Sequence, residues 1–263
     1  MFKFCDWVQT EKLCDAMLSM NPKAVRLLEK NLQRINWQYL SSNPEAMHIV
    51  EKHLHSKRNR ICWFSLSSMP EAIDLLEKNL DKINWSALSK NPAAIHLLKQ
   101  NPKKIHWSSL CENPAAIEML KARSTWINWT ALSRNPAALN LLAANPHKIN
   151  WSNLSANPAA ISLLESNPEK IDWYTLSLNP AAIHLLAANP ERINWFALSK
   201  NPAARDILLQ NPEKIDWYFM SVNPSIFEYD YQSMKESRPF VEELMANRFH
   251  PKNIDKFEDW NHD

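Results

Sequence analysis

A chain of 263 residues, 45% hydrophobic and 22% charged, has the make-up of a folded protein, and its net charge of +2 singles out neither a nucleic acid nor a membrane surface. It contains no glycine, where average usage would supply about 18. That closes the routes through a P-loop, a Gly-rich dinucleotide turn or a Gly-x-Ser-x-Gly elbow, each of which needs backbone that glycine supplies.

The chain opens with Met1–Thr10, which lacks the basic-then-apolar layout of a signal peptide. No apolar run approaches the roughly 20 residues that span a bilayer. Together these predict an intracellular protein without a membrane partner. Cys5, Cys14, Cys62 and Cys111 show no Cys-x-x-Cys spacing, so neither a zinc site nor a disulfide framework is read from them. Residues 1–20 read as a degenerate N-terminal cap repeat. Asp6-Trp7 imitates the opening of a unit, and Leu13 and Met17 are placed to cover the first full one.

A repeat solenoid is expected over residues 21–224. Trp63, Trp85, Trp107, Trp129, Trp151, Trp173, Trp195 and Trp217 fall 22 residues apart, and Trp37 joins the series after a four-residue insertion around His55–Arg58. Asn-Pro pairs keep the same period from Asn91 to Asn223, and a second Asn-Pro follows ten residues later at Asn101, Asn145, Asn167, Asn189 and Asn211. In one unit, Asn157 is an N-cap and Pro158 suits the first helical position. Ala160, Ile161 and Leu164 then mark one apolar face, and Asn167-Pro168 stops the helix. Ile171 enters the core, Asp172 caps a second short helix, and Trp173 and Leu176 line its buried side. Asparagine in the left-handed conformation is the expected substitute for glycine at helix ends.

Helices this short are unstable alone, so units must stack. The predicted fold is an all-α, right-handed α-solenoid of about ten 22-residue units, each a longer α-helix plus a short α or 3₁₀ helix. At helix-packing distances of about 8–10 Å it makes a rod or arc on the order of 90 Å long. A β-solenoid is the structural rival, disfavoured by the Ala-Ala-Ile-x-Leu-Leu run. Residues 225–263 read as a C-terminal helical cap, with Phe227, Tyr229, Tyr231, Met234, Phe240, Leu244, Phe249 and Trp260 as packing candidates.

The unit Asn-Pro-x-Ala-Ile-x-Leu-Leu-x-x-Asn-Pro-x-Lys-Ile-Asp/Asn-Trp-x-x-Leu-Ser resembles that of repeat proteins abundant in giant DNA viruses. The tail is also similar, through Phe227-Glu228-Tyr229-Asp230-Tyr231, Glu242-Glu243-Leu244-Met245 and Phe249-His250-Pro251. The resemblance implies a repeat fold and a viral origin, and carries no activity or catalytic residue with it. Met69, Trp126 and Arg205 depart from the pattern, standing in the Asn slot, the basic slot and the Ile slot.

No acid, base and nucleophile converge in the sequence, so no catalytic residue, cofactor or metal site is assigned and no small-molecule substrate is expected. The periodic Trp reads as core. The residue before each repeated Ile is basic (Arg34, Arg60, Lys82, Lys104, Lys148, Lys170, Arg192, Lys214), broken by Trp126. Stacking aligns these into an edge suited to an anionic partner, unless they only pair with Glu169, Glu191 and Glu213. Residues 1–130 carry 18 basic and 12 acidic residues and residues 131–263 carry 12 and 16, so Arg34, Arg60, Lys82 and Lys104 are the candidate anion-binding positions. The slot after Trp turns aromatic at Tyr174, Phe196 and Tyr218, which are candidate protein-interface anchors or cap-packing residues. The expected function is a non-enzymatic protein-binding scaffold or host-directed adaptor of a large DNA virus, in the host cytoplasm or packaged in the virion. Nucleic-acid binding along the basic edge and a structural virion role are the alternatives.

Overall fold

The computed structural model describes residues 2–56 and 60–236. Among them the chain divides into two compact units, residues 9–225 and residues 2–8 with 226–236. The larger unit is the expected all-α solenoid of short helices.

A regular repeat, such as that of Asn157, contains four short helices. Asn157 is extended (φ −82°, ψ 112°), and its Oδ1 accepts from Ala159 N at 3.0 Å. Pro158 then starts a 3₁₀ turn, Pro158–Ala160, that runs directly into the α-helix Ile161–Glu165. A second 3₁₀ turn, Pro168–Lys170, follows, and Ile171 is extended. Asp172 caps the helix Trp173–Ser177, accepting from Thr175 N at 2.9 Å. Ala160, Leu164 and Leu176 are fully buried, whereas Ile161, Ile171 and Trp173 are half-buried. All nine periodic Trp rings are half-buried, so the stack is built on a column of Leu and Ala and the Trp lies on its margin. The core reading of Trp is corrected to that extent.

The second Asn-Pro does not work as expected. No described residue has a positive φ. Asn167 sits at φ −140°, ψ 60°, and its Nδ2 donates to Leu163 O at 2.9 Å. The side chain takes up a helix-end carbonyl itself, and no left-handed residue is needed.

Two buried hydrogen-bond ladders join successive units. The first uses the Asn before Pro. Asn157 Nδ2 donates to Ser133 O at 3.1 Å and to Asn135 O at 3.0 Å, both in the preceding unit. The second uses the Ser that ends each Trp helix. Ser155 Oγ donates to Trp151 O at 2.8 Å and accepts from Asp172 N, in the next unit, at 3.1 Å. Both polar groups are fully buried and satisfied, as burial requires.

The stack is neither a rod nor an open arc. Asn21 Nδ2 donates to Ser221 O and Asn223 O, each at 3.0 Å, and Cys14 N donates to Ser221 Oγ at 2.8 Å. These are the same bonds at the same slots, made between the two ends of the repeat series. The helix Asp15–Leu18 occupies the Trp-helix slot 22 residues before Trp37–Leu40, with Cys14 as its N-cap. The opening unit therefore begins at Cys14-Asp15, not at Asp6-Trp7, and ten Trp-slot helices form a closed circuit. Lys12, at the end of the 3₁₀ turn Thr10–Lys12 and 22 residues before Arg34, adds a ninth basic residue to the row.

The smaller unit pairs β1 (Phe2–Phe4) antiparallel with β2 (Phe227–Tyr229), matching Phe2 with Tyr229 and Phe4 with Phe227. Those ring pairs lie 5.0 and 4.6 Å apart between centroids, and Lys3 bridges Glu228 at 3.0 Å. Helix Tyr231–Glu236 follows, with Ser233 N bonded to Asp230. The expected helical cap thus begins with a strand, because Phe227 and Tyr229 find cross-strand aromatic partners near the N-terminus. Phe240, Leu244, Phe249 and Trp260 lie outside the described residues.

Candidate functional site: a basic edge and an aromatic arc

The closed stack presents each slot of the repeat as a row of side chains. The basic row does not stand free. Lys104 Nζ lies 4.4 Å from the Trp85 ring centroid, Lys148 4.6 Å from Trp129, Lys170 4.6 Å from Trp151 and Lys214 4.4 Å from Trp195. Arg192 covers Trp173 at 5.1 Å. Each cation lies over the Trp of the preceding unit, which explains both the half-buried ring and the basic residue at the same period. Arg34 shows the rule by exception. Its Trp slot holds Asp15, and the guanidinium meets that carboxylate through two 2.7 Å bonds. Lys82 lies 3.2 Å from Asp81, and Arg60 is exposed. Of the glutamates expected to pair with this row, Glu191 lies 3.7 Å from Arg192. Arg34, Arg60, Lys82 and Lys104 therefore share one slot of the repeat and remain exposed, but Lys104 is committed to a Trp face and Arg34 and Lys82 to carboxylates.

At Trp126 the row changes character. This ring is 52% exposed and meets Trp107 edge-on at 5.1 Å. Arg123 lies 5.0 Å from Trp107 and 5.4 Å from Trp126.

Tyr174, Phe196 and Tyr218 are 50%, 40% and 46% exposed. Successive Trp helices place them in neighbouring rungs, so the structure brings the three together as one arc. Phe196 also packs on Phe219 at 4.0 Å, and Phe219 on Tyr218 at 4.9 Å. Lys200 Nζ lies 3.9 Å from the Phe219 ring and 5.3 Å from Phe196. Burial pushes the Lys200 pKa down, against the pull of Asp216. Burial and the neighbouring Tyr39 phenol push Tyr218 up. Burial works against the Asp172 carboxylate, but bonds from Thr175, Ser152 and the Tyr174 backbone outweigh it and hold its pKa below the ordinary value. Phe64, 57% exposed in the slot after Trp63, is a further exposed aromatic that sequence reasoning passed over; its position directly after a periodic Trp was the signal.

The remaining candidates are structural. Cys111 stands in the Ser slot, donating to Trp107 O and accepting from Asn128 N, each at 3.3 Å; burial pushes its thiol up, away from a reactive thiolate. His48, His96 and His184 bond Glu29, Glu77 and Glu165 of the preceding unit at 2.7, 2.6 and 2.9 Å. Among the described residues no three His, Cys, Asp or Glu side chains cluster to hold a metal ion, and no helix is long and apolar enough to cross a membrane. No family model matches the chain, and no curated protein or solved structure is similar to it.

Proposed function

We propose that this protein is a non-enzymatic scaffold that binds another protein through the arc formed by Tyr174, Phe196, Phe219 and Tyr218. The observation that carries this reading is the row of exposed aromatics at one slot. Other units hold Ser86, Ser108, Thr130 and Ser152 there, so the stack itself does not require a ring. Aromatic side chains in register at a surface are the residue type that anchors interfaces.

The partner we infer presents Arg and Lys side chains. Residues 149–225 carry five basic and seven acidic residues, Asp172 and Asp216 cap helices of this arc, and an ammonium group, that of Lys200, already lies over two of its rings. The resemblance of the repeat to those of giant DNA viruses suggests a viral scaffold or host-directed adaptor, in the host cytoplasm or in the virion.

Tyr174 is the cleanest probe, because it makes no ring–ring contact among the described residues. Tyr174→Ser is expected to leave melting unchanged and to reduce retention of the proteins that the wild type captures. Phe196→Ser is expected to lower stability slightly as well, through its contact with Phe219. Equal capture by wild type and Tyr174→Ser would refute the reading.

A further inference from the structure

The unit around Trp126 departs from the repeat at three slots. Arg123, Ser124 and Trp126 stand where the pattern has Asn, Pro and a basic residue. The backbone is unaffected. Arg123 sits at φ −137°, ψ 55°, as Asn145 does at φ −137°, ψ 58°, and the same 3₁₀ turn follows at Ser124–Trp126. The change lies in what the side chains present.

Elsewhere a single cation of this row covers the Trp of the preceding unit, at Trp85, Trp129, Trp151, Trp173 and Trp195. Here Arg123 supplies the cation over Trp107 and also lies 5.4 Å from the Trp126 ring, which meets Trp107 edge-on, and Trp126 is left 52% exposed. The flanking rungs of the same row carry Lys104 and Lys148, both exposed. Residues 99–148 hold seven Lys and Arg against two acids. Both acids are engaged, Glu112 with Lys90 at 2.9 Å and Glu118 with Lys121 at 2.8 Å.

We infer that Trp126 is a base-stacking platform for single-stranded nucleic acid, with Arg123, Lys104 and Lys148 contacting the phosphates. The inference is independent of the protein-docking reading, which concerns another arc. An exposed indole flanked by periodic cations is the combination that single-strand binding uses: the π face takes a base and the cations follow the backbone. A duplex hides its base faces. An acidic protein fits less well, because between Leu80 and Tyr174 Trp126 is the one large apolar side chain exposed among the described residues, without the cluster of exposed anchors that a protein interface needs.

The test is fluorescence anisotropy of the full chain with a labelled oligothymidylate or oligouridylate of about twelve nucleotides, at about 50 mM salt. Trp126→Lys is the decisive variant. It restores the regular residue of the row and adds a positive charge, and its melting curve verifies the fold. If stacking carries the binding, Trp126→Lys and Trp126→Ala each weaken it about tenfold, and Arg123→Ala weakens it as well. The wild-type affinity falls steeply between about 50 and 200 mM salt. Equal or tighter binding by Trp126→Lys would show that charge alone acts and overturn the proposal. So would no binding at the lower salt, or a polyglutamate of matched length binding as tightly as the oligonucleotide.

Discussion

The junction between the units of Asn135 and Asn157 is spanned by the chain; the junction between those of Asn223 and Asn21 is not. The bonds are nevertheless the same. Asn157 reaches Ser133 O and Asn135 O at 3.1 and 3.0 Å, and Asn21 reaches Ser221 O and Asn223 O at 3.0 Å each. Asn150 N meets Ser133 Oγ at 3.0 Å, and Cys14 N meets Ser221 Oγ at 2.8 Å. The complementarity of unit faces, rather than chain continuity, is therefore what holds one repeat on the next. A closed circuit also removes the exposed faces that an open solenoid has to cover with terminal caps.

The largest effects that sharpen this comparison come from the apolar column. Leu154 and Leu18 occupy the same slot, fully buried in one case and 4% exposed in the other. Leu154→Ala and Leu18→Ala are each expected to cost about 2–5 kcal/mol in urea unfolding, as for other buried leucines. Trp151→Ala should cost less than Leu154→Ala, since the ring is half-buried and covered by Lys170. A much smaller loss for Leu18→Ala than for Leu154→Ala would show that the closing junction frays.

The asparagine ladder gives the next test. Asn157→Ala and Asn21→Ala each remove a cap and strip two buried carbonyls of their donor, so each should cost about 2–4 kcal/mol. A silent Asn21→Ala beside a damaging Asn157→Ala would break the equivalence of the two junctions.

A third junction breaks the pattern by itself. Met69 stands in the Asn slot, after the insertion that displaces the period, and a thioether has no N–H to donate to the carbonyls of the preceding unit. Met69→Asn is expected to raise stability by about 1 kcal/mol by extending the ladder through this slot. A loss would mean that Met69, 7% exposed, fills a space that the carboxamide leaves empty.

Much of the unit was legible in the sequence, because its signals are local. Asn-Pro starts a helix wherever it occurs, and the Ala and Leu positions follow helical spacing. The circuit was not legible, because it depends on what Asn21 bonds 200 residues away. One clue was present. The cap before Trp varies among Asn84, His106, Asp172 and Cys62, while the residue before the first Pro is Asn in every full unit except that of Met69. Capping alone accepts Asp or Ser at such a position, so a preference this narrow signals a need for the amide's N–H donors as well as its acceptor. The basic row was visible as a period but not as a partner of Trp, because the two stand 19 residues apart, in different units. The exposed aromatics were legible at Tyr174, Phe196 and Tyr218, because their slot directly after Trp repeats along the sequence.

That closure is tested most directly by a distance measured in solution. Lys12 and Arg192 are two rungs apart through the closing junction, and Lys170 and Lys214 are two rungs apart through the chain. All four are exposed, so spin labels on cysteines at each pair, in a background with the native cysteines replaced, should not disturb the core. Double electron–electron resonance is expected to give the same distance for both pairs. A Lys12–Arg192 distance several times longer than the Lys170–Lys214 distance, as an open stack requires, would contradict the circuit.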